Sequence, residues 1–172
     1  MKDAKKELRT RLTDLVKDWT RLNRLFPSHS ELELIGNRLL EWRIKENIQG
    51  LWNDPPLMVS TTLDDGLGQG LRIINLYSEV AGLRVMPIGL LQPPEKIIDT
   101  CNKHLPYILG LTVLQFDSEE MLTKISREIS PKIKIVAGGP VFTADSELAK
   151  RTGVHFAARN VASFLEYLLN SV

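Results

Sequence analysis

The 172-residue sequence contains one cysteine and three histidines, and each scarcity excludes something. A single cysteine, Cys101, rules out an internal disulfide framework and any multi-cysteine zinc site. His29, His104 and His155 lie far apart, and none makes a local metal-ligand spacing. No apolar run approaches the roughly 20 residues that span a bilayer. The opening MKDAKKELRTR lacks the apolar stretch of a secretory signal, so the cytoplasm is the expected location. Neither charge dominates: the net charge of +1 argues against an electrostatic nucleic-acid binder. The one asymmetry is mild. Residues 1–27 carry eight basic and four acidic side chains, which suits a solvated helix face.

With 43% hydrophobic and 25% charged residues, the chain has the composition of a folded domain with room for a modest extra segment. The first third is helical. Leu8, Leu12, Leu15, Val16, Trp19, Leu22 and Phe26 recur at spacings of three and four, the stripe of an amphipathic helix ending near Pro27. Ser28 to Glu31 reads as a capping box that starts a second helix. That helix offers Leu32, Ile35, Leu39, Leu40, Trp42, Ile44 and Ile48 inward and stops near Gly50. Asn53 to Pro56 is the linker, so residues 1–53 form a helical segment and residues 57–172 a separate domain. Trp19, Trp42 and Trp52 fall in or beside the helical segment, as core anchors or as aromatic faces for a planar ligand.

The remainder alternates strand and helix. Strands are expected at Leu57–Thr62, Leu83–Gly89, Ile108–Leu114, Lys132–Ala137 and His155–Ala158. Helices are expected at Gly70–Val80, Glu95–His104, from Asp117 or Ser118 to Ile129, Asp145–Thr152, and from the Asn160 cap to Asn170. Ile108–Leu114 is almost unbroken in its apolar character, as suits a central strand covered on both faces. Five such units predict an α/β fold: a flavodoxin-like, doubly wound, five-stranded parallel sheet of order 2-1-3-4-5, preceded by the helical segment. Ligands of such sheets bind at the carboxyl ends of the strands. Chemistry is therefore expected in the loops 62–70, 89–94, 115–118, 138–143 and 157–160.

The first of these loops, Thr62-Leu63-Asp64-Asp65-Gly66-Leu67-Gly68-Gln69-Gly70, has three glycines opening a helix. Its glycine spacing falls one residue short of a dinucleotide fingerprint, and no acidic residue closes the second strand. A phosphoacceptor receiver would use Asp64 and Asp65 as its acidic pair and Asp117 as its acceptor. It would also need a Ser or Thr after the fourth strand and a Lys after the fifth. Here Gly138-Gly139-Pro140 and Arg159-Asn160 stand instead, with no cation for a phosphoryl group.

Several loops taken together resemble the cobalamin-binding domain family over residues 57–172. That family carries D-x-H-x-x-G after the first strand, S-x-L in the third and G-G after the fourth. The counterparts here are Asp65 to Gly70, Thr112-Val113-Leu114, and Gly138-Gly139. Ala81-Gly82-Leu83-Arg84-Val85, Gly89 followed by Pro93-Pro94-Glu95-Lys96, and Ala157-Ala158 also look alike. The resemblance implies a cobalamin cofactor held by Asp65, Gly66, Leu67, Gly68, Gln69, Gly70, Thr112, Leu114, Gly138, Gly139, Pro140, Ala157 and Ala158. In such a site the corrin lies on the carboxyl edge and its nucleotide tail descends beside the sheet. Thr112 can hydrogen-bond in that slot, and the bare backbone of Gly138 and Gly139 leaves room for the dimethylbenzimidazole.

One departure matters most. The family's cobalt-ligating histidine is replaced by Leu67, which cannot coordinate a metal, so Asp65 loses the partner it would orient. His104 and His155 lie outside the motif and are no substitutes. The implied protein is a non-catalytic corrinoid module without a protein lower ligand. It would carry a corrinoid for a partner methyltransferase or radical-type enzyme, or sense the cofactor. The helical segment would cap the corrin or form a homodimer. The alternative is a degenerate fold serving as a scaffold without cofactor. No nucleophile–base pair or metal cluster points to an independent enzyme, and Cys101 reads as a buried structural thiol.

Overall fold

The computed structural model describes residues 2–21 and 26–172. The elements run α1 (Lys2–Arg21), α2 (His29–Lys45), β1 (Leu57–Thr62), α3 (Gln69–Ala81), β2 (Arg84–Pro87), α4 (Pro94–His104) and β3 (Ile108–Thr112). A 3₁₀ turn at Phe116–Ser118 leads to α5 (Glu119–Glu128), β4 (Lys134–Gly138), α6 (Val141–Ala144), α7 (Leu148–Thr152), β5 (Phe156–Ala158) and α8 (Val161–Asn170). None of the described helices is long and apolar enough to cross a membrane. The chain forms two compact units. One holds residues 1–56, 72–84 and 160–172; the other holds 57–71 and 85–159.

The helical unit is built on the expected stripe. Leu8, Leu12 and Val16 of α1 are buried, and so are Phe164, Leu165, Leu168 and Leu169 of α8. Arg9 donates to the Leu169 carbonyl at 2.7 Å. The capping box of α2 is present: Ser28 Oγ accepts from the Glu31 amide, and the Glu31 carboxylate accepts from the Ser28 amide at 2.8 Å. Tyr77 of α3 donates to the Leu32 carbonyl at 2.9 Å and meets the edge of Trp19 at 5.7 Å. Arg11 stacks over Trp42 at 4.1 Å, a cation–π contact. Gly36 has no room for a Cβ because Leu76 and Tyr77 lie against it.

Three expectations fail here or fall elsewhere. Helix α2 ends at Lys45, and Asn47 turns the chain at φ 52°. Ile44, expected inward, is 66% exposed, while Ile48 beyond the turn is buried. Leu22 lies outside the described residues.

The second unit carries the sheet, in the order β2-β1-β3-β4-β5, all parallel as predicted. Side chains alternate between the two faces of a strand. Val59, Leu109, Leu111, Val113, Ile135 and Ala137 point into one core, with Ile97, Ile98 and Cys101 of α4, Leu122 and Ile125 of α5, Val141 and Phe142 of α6, and Leu148 of α7. The alternate positions, Met58, Ser60, Thr62, Gly110, Thr112, Val136, Gly138 and Ala158, therefore belong to the opposite face. Burial within the unit pushes the Cys101 thiol up to about 12, so it stays protonated and inert, as a structural thiol should.

Several borders differ from expectation. Strand β3 stops at Thr112, two residues short of Leu114, because the Leu114 amide turns to a side chain rather than to a neighbouring strand. Of the helix expected at 145–152 only α7, Leu148–Thr152, forms, and the unexpected short helix α6 precedes it. Asp145 between them is extended, and its carboxylate accepts from the Glu147 amide at 3.0 Å. His155 sits just before β5 and closes the sheet's edge. Its Nδ1 accepts from the Ile135 amide at 3.0 Å, while its own amide donates to the Ile135 carbonyl. Burial and the nearby Lys134 hold this imidazole below its ordinary pKa, consistent with the neutral form that the bond requires. His104 is the last residue of α4, as expected.

Candidate cofactor site

The strand register sets the frame. Thr62 pairs with Thr112, Thr112 with Gly138, and Gly138 with Ala158. These four residues form one row at the carboxyl edge of the sheet, on the face away from the large-residue core. One step below, Ser60 pairs with Gly110. Small side chains thus occupy the carboxyl end of this face, above Met58, Ile108, Val136 and Phe156.

One hydroxyl of the row and one just below it are unspent. The Thr112 hydroxyl has no partner among the described residues. Ser60 Oγ is fully buried and also unpartnered. Buried hydroxyls are normally hydrogen-bonded, so an orphan one is a candidate ligand contact. A Cβ on Gly138 would meet nothing closer than the Ala158 carbonyl at 3.5 Å, so this edge is open. Gly139 differs. Its φ is 134°, and a Cβ there would strike the Val113 carbonyl. The chain itself requires that glycine, where β4 leaves the sheet close to the β3 backbone. Pro140 then starts α6 as its N-cap. Ala157 pairs with Ala137 and packs on the large-residue core, so its side chain is directed away from the row that Ala158 completes.

The loops above the row are tied to the end of β1. Thr62 Oγ1 donates to the Asp65 carbonyl at 2.6 Å and accepts from the Leu91 amide at 2.9 Å. Thr61 Oγ1 donates to the Gly89 carbonyl at 2.7 Å. Asp64 accepts from the Leu114 amide at 2.7 Å, the Gln115 amide at 2.9 Å and the Ser118 hydroxyl at 2.7 Å. Asp65 is buried, and its Oδ1 accepts from the amides of Leu67 and Gly68 at 2.9 and 3.0 Å. In place of a histidine, the motif aspartate holds its own loop.

Asp64 accepts through both oxygens, and Asp65 is buried with Oδ1 bonded to its own loop, which leaves no open acidic pair for a phosphoacceptor. Gly66 and Gly70 are exposed, and a Cβ on Gly70 would meet nothing within 4 Å. Gln69 begins α3 and is exposed. Leu67 is 75% exposed, and Leu90, Leu91, Leu114 and Phe116 also show apolar surface on the loops after β1, β2 and β3. Such a group of exposed apolar side chains marks a binding surface more often than chance scatter does.

The B12 binding domain family matches residues 56–163, well over half the chain. The chain belongs to this family. No curated protein matches the chain. Among solved structures, a cobalamin-binding protein from Desulfitobacterium hafniense DCB-2 is similar with a TM-score of 0.83 at 18% identity, covering 99% of this chain and 84% of that one. The monomethylamine corrinoid protein of Methanosarcina barkeri gives 0.64 at 16%, over 83% and 66% of the two chains. The methanol:cobalamin methyltransferase complex MtaBC of the same organism gives 0.65 at 14%, over 98% and 67%. At these identities the likeness is one of fold.

Within a B12 binding domain, the row of Thr112, Gly138 and Ala158 fits a flat nucleotide base, because nothing larger than a threonine stands in it. The orphan hydroxyls fit its polar atoms. The apolar loop residues fit a macrocycle. No cluster of candidate metal ligands occurs among the described residues, and the motif position carries only hydrocarbon. The residues thus suit the organic part of the cofactor and offer the metal no donor at Leu67.

The expected residues Asp65, Leu67 and Gly68 share one hydrogen-bonded loop, and Leu114 is drawn to that loop through Asp64. The expected loops contain Thr62, Asp64, Leu90, Leu91 and Phe116, but sequence reasoning singled out none of them for the cofactor, and Ser60 and Thr61 lay outside those loops. The doubled aspartate was the available signal, since an acidic residue directly after a strand can accept from neighbouring loop amides.

Proposed function

We propose that this chain is a cobalamin-binding module without chemistry of its own, holding the cofactor across the carboxyl edge of the sheet with no lower ligand from the protein. The carrying observation is the register-paired row Thr62, Thr112, Gly138 and Ala158, with unspent hydroxyls beside it and exposed apolar loops above. Cobalamin, when bound, supplies a cobalt centre that can carry a methyl group. The chain's own residues bind and orient it. Thr112 and Ser60 offer hydroxyls to the nucleotide tail, Gly138 and Ala158 leave it space, and the leucines and Phe116 keep water from the corrin. Residues 57–172 form the binding segment, with residues 1–53 as its helical companion. The module serves a separate methyltransferase as a corrinoid carrier. The fold shared with one component of a methanol:cobalamin methyltransferase complex supports that role.

The test mixes the purified protein with hydroxocobalamin or methylcobalamin, removes free cofactor by desalting, and records the visible spectrum. Retained colour with base-off features and no imidazole signature is the expected result. A colourless protein at high cofactor concentration overturns the reading and favours a cofactor-free scaffold. Leu67→His should convert the spectrum to a histidine-ligated one, since Asp65 Oδ2 has no partner among the described residues and is available to hold the new imidazole. An unchanged spectrum would show that this loop does not lie under the metal.

A further inference from the structure

Three non-glycine residues adopt the left-handed backbone region: Asn47, Leu91 and Leu105. Two have a local cause. Leu105 is the C-cap of α4, where the left-handed residue lets the chain leave the helix. Asn47 turns the chain just after α2, and asparagine tolerates that conformation. Leu91 ends no helix. It sits at φ 53° in the loop after β2, locked there because its amide donates to Thr62 Oγ1 at 2.9 Å and the Gln92 amide donates to the Thr62 carbonyl at 3.1 Å.

A leucine is costly at such a position, and glycine or asparagine would not be. Burial does not compensate, since Leu91 is 55% exposed. Its side chain lies over Gly66, 3.6 Å from where a Cβ there would be, beside the exposed Leu67. The strained backbone therefore holds an apolar group out over the glycine-rich loop, where folding alone gains little from it.

We infer that Leu91 is a cofactor-binding residue, a fixed apolar contact for the corrin macrocycle at the rim of the glycine-rich loop. This rests on the cobalamin reading and deepens it, singling out one of the loop leucines as held in place by its backbone. The backbone strain is then sustained in the free protein and serves the bound state, where the exposed half of the side chain leaves water.

The two roles predict opposite signs, which makes the test clean. Leu91→Gly and Leu91→Asn are compared with the unaltered protein for thermal midpoint and for hydroxocobalamin affinity. The expected result is a Tm unchanged or raised in both variants, with affinity reduced roughly tenfold, the worth of removing about half a leucine side chain from water. A Tm lowered by more than about 2 °C in both variants would make the side chain structural and overturn the inference. Unchanged affinity would overturn it while leaving the cobalamin reading intact. If the unaltered protein binds no cobalamin, both fall together.

Discussion

On one face of the sheet, Val59, Leu109, Leu111, Ile135 and Ala137 are buried among four helices of the same unit. On the other, the same strands present Ser60, Thr62, Gly110, Thr112, Gly138 and Ala158. Alternation forces each strand to serve both faces, and the second face also carries Met58, Ile108, Val136 and Phe156 lower down, but at its carboxyl edge nothing larger than a threonine stands. A fold needs the first set for its stability. It gains little from a row of glycine, alanine and threonine at the edge where ligands of this architecture bind, so that row is best understood as reserved space.

The largest effect should come from breaking the face that holds the fold. Leu109→Ala removes a fully buried side chain and should lower the unfolding free energy by about 2–5 kcal/mol in urea titration, with the remaining fraction still able to bind cofactor. Breaking the small face should do the reverse. Gly138→Val should leave the urea midpoint nearly unchanged and weaken cobalamin binding about 100-fold. Cobinamide, which lacks the nucleotide tail, should lose much less. Equal losses for both ligands would mean that the row does not face the tail.

A smaller effect is expected from loosening the loops above the row. Asp64→Asn presents an amide where a carboxylate accepts three bonds, so one donor is left facing another. The cost should be about 2 kcal/mol, visible as faster amide exchange at Leu114 and Gln115. The smallest effect belongs to the sheet's edge. His155 has a folded pKa below its ordinary value of 6.5. Between the two values the unfolded chain takes up a proton that the folded chain refuses, so stability falls as the pH is lowered through that window. His155→Gln should flatten that part of the pH–stability curve, and an unaltered slope would assign it to other groups.

Local signals were read well from the sequence wherever one segment decides its own shape. The capping box at Ser28, the cap at Asn160, the proline start of α4 and the span of β1 follow from neighbours a few residues apart. The strand order followed from the number of units and their handedness. What stayed hidden depends on distant partners. Ser118 looks like a helix cap, but its hydroxyl goes to Asp64, 54 positions earlier. Leu114 looks like the end of a strand, but its amide goes to the same carboxylate. Leu91 carries no sign in its residue type of the conformation that Thr62 imposes on it. The place of the candidate site at the strand ends was thus legible in the sequence, while its cross-bracing was not, because a hydrogen bond between loops leaves no periodic trace.

The exit of β1 bears on time as well as strength. Thr62, Asp64 and Asp65 secure the second loop, the third loop and their own before any ligand arrives. Docking there requires no ordering of these three loops. Cobalamin capture should accordingly follow a single phase whose rate climbs in proportion to cofactor concentration, without the plateau that a slow opening step imposes.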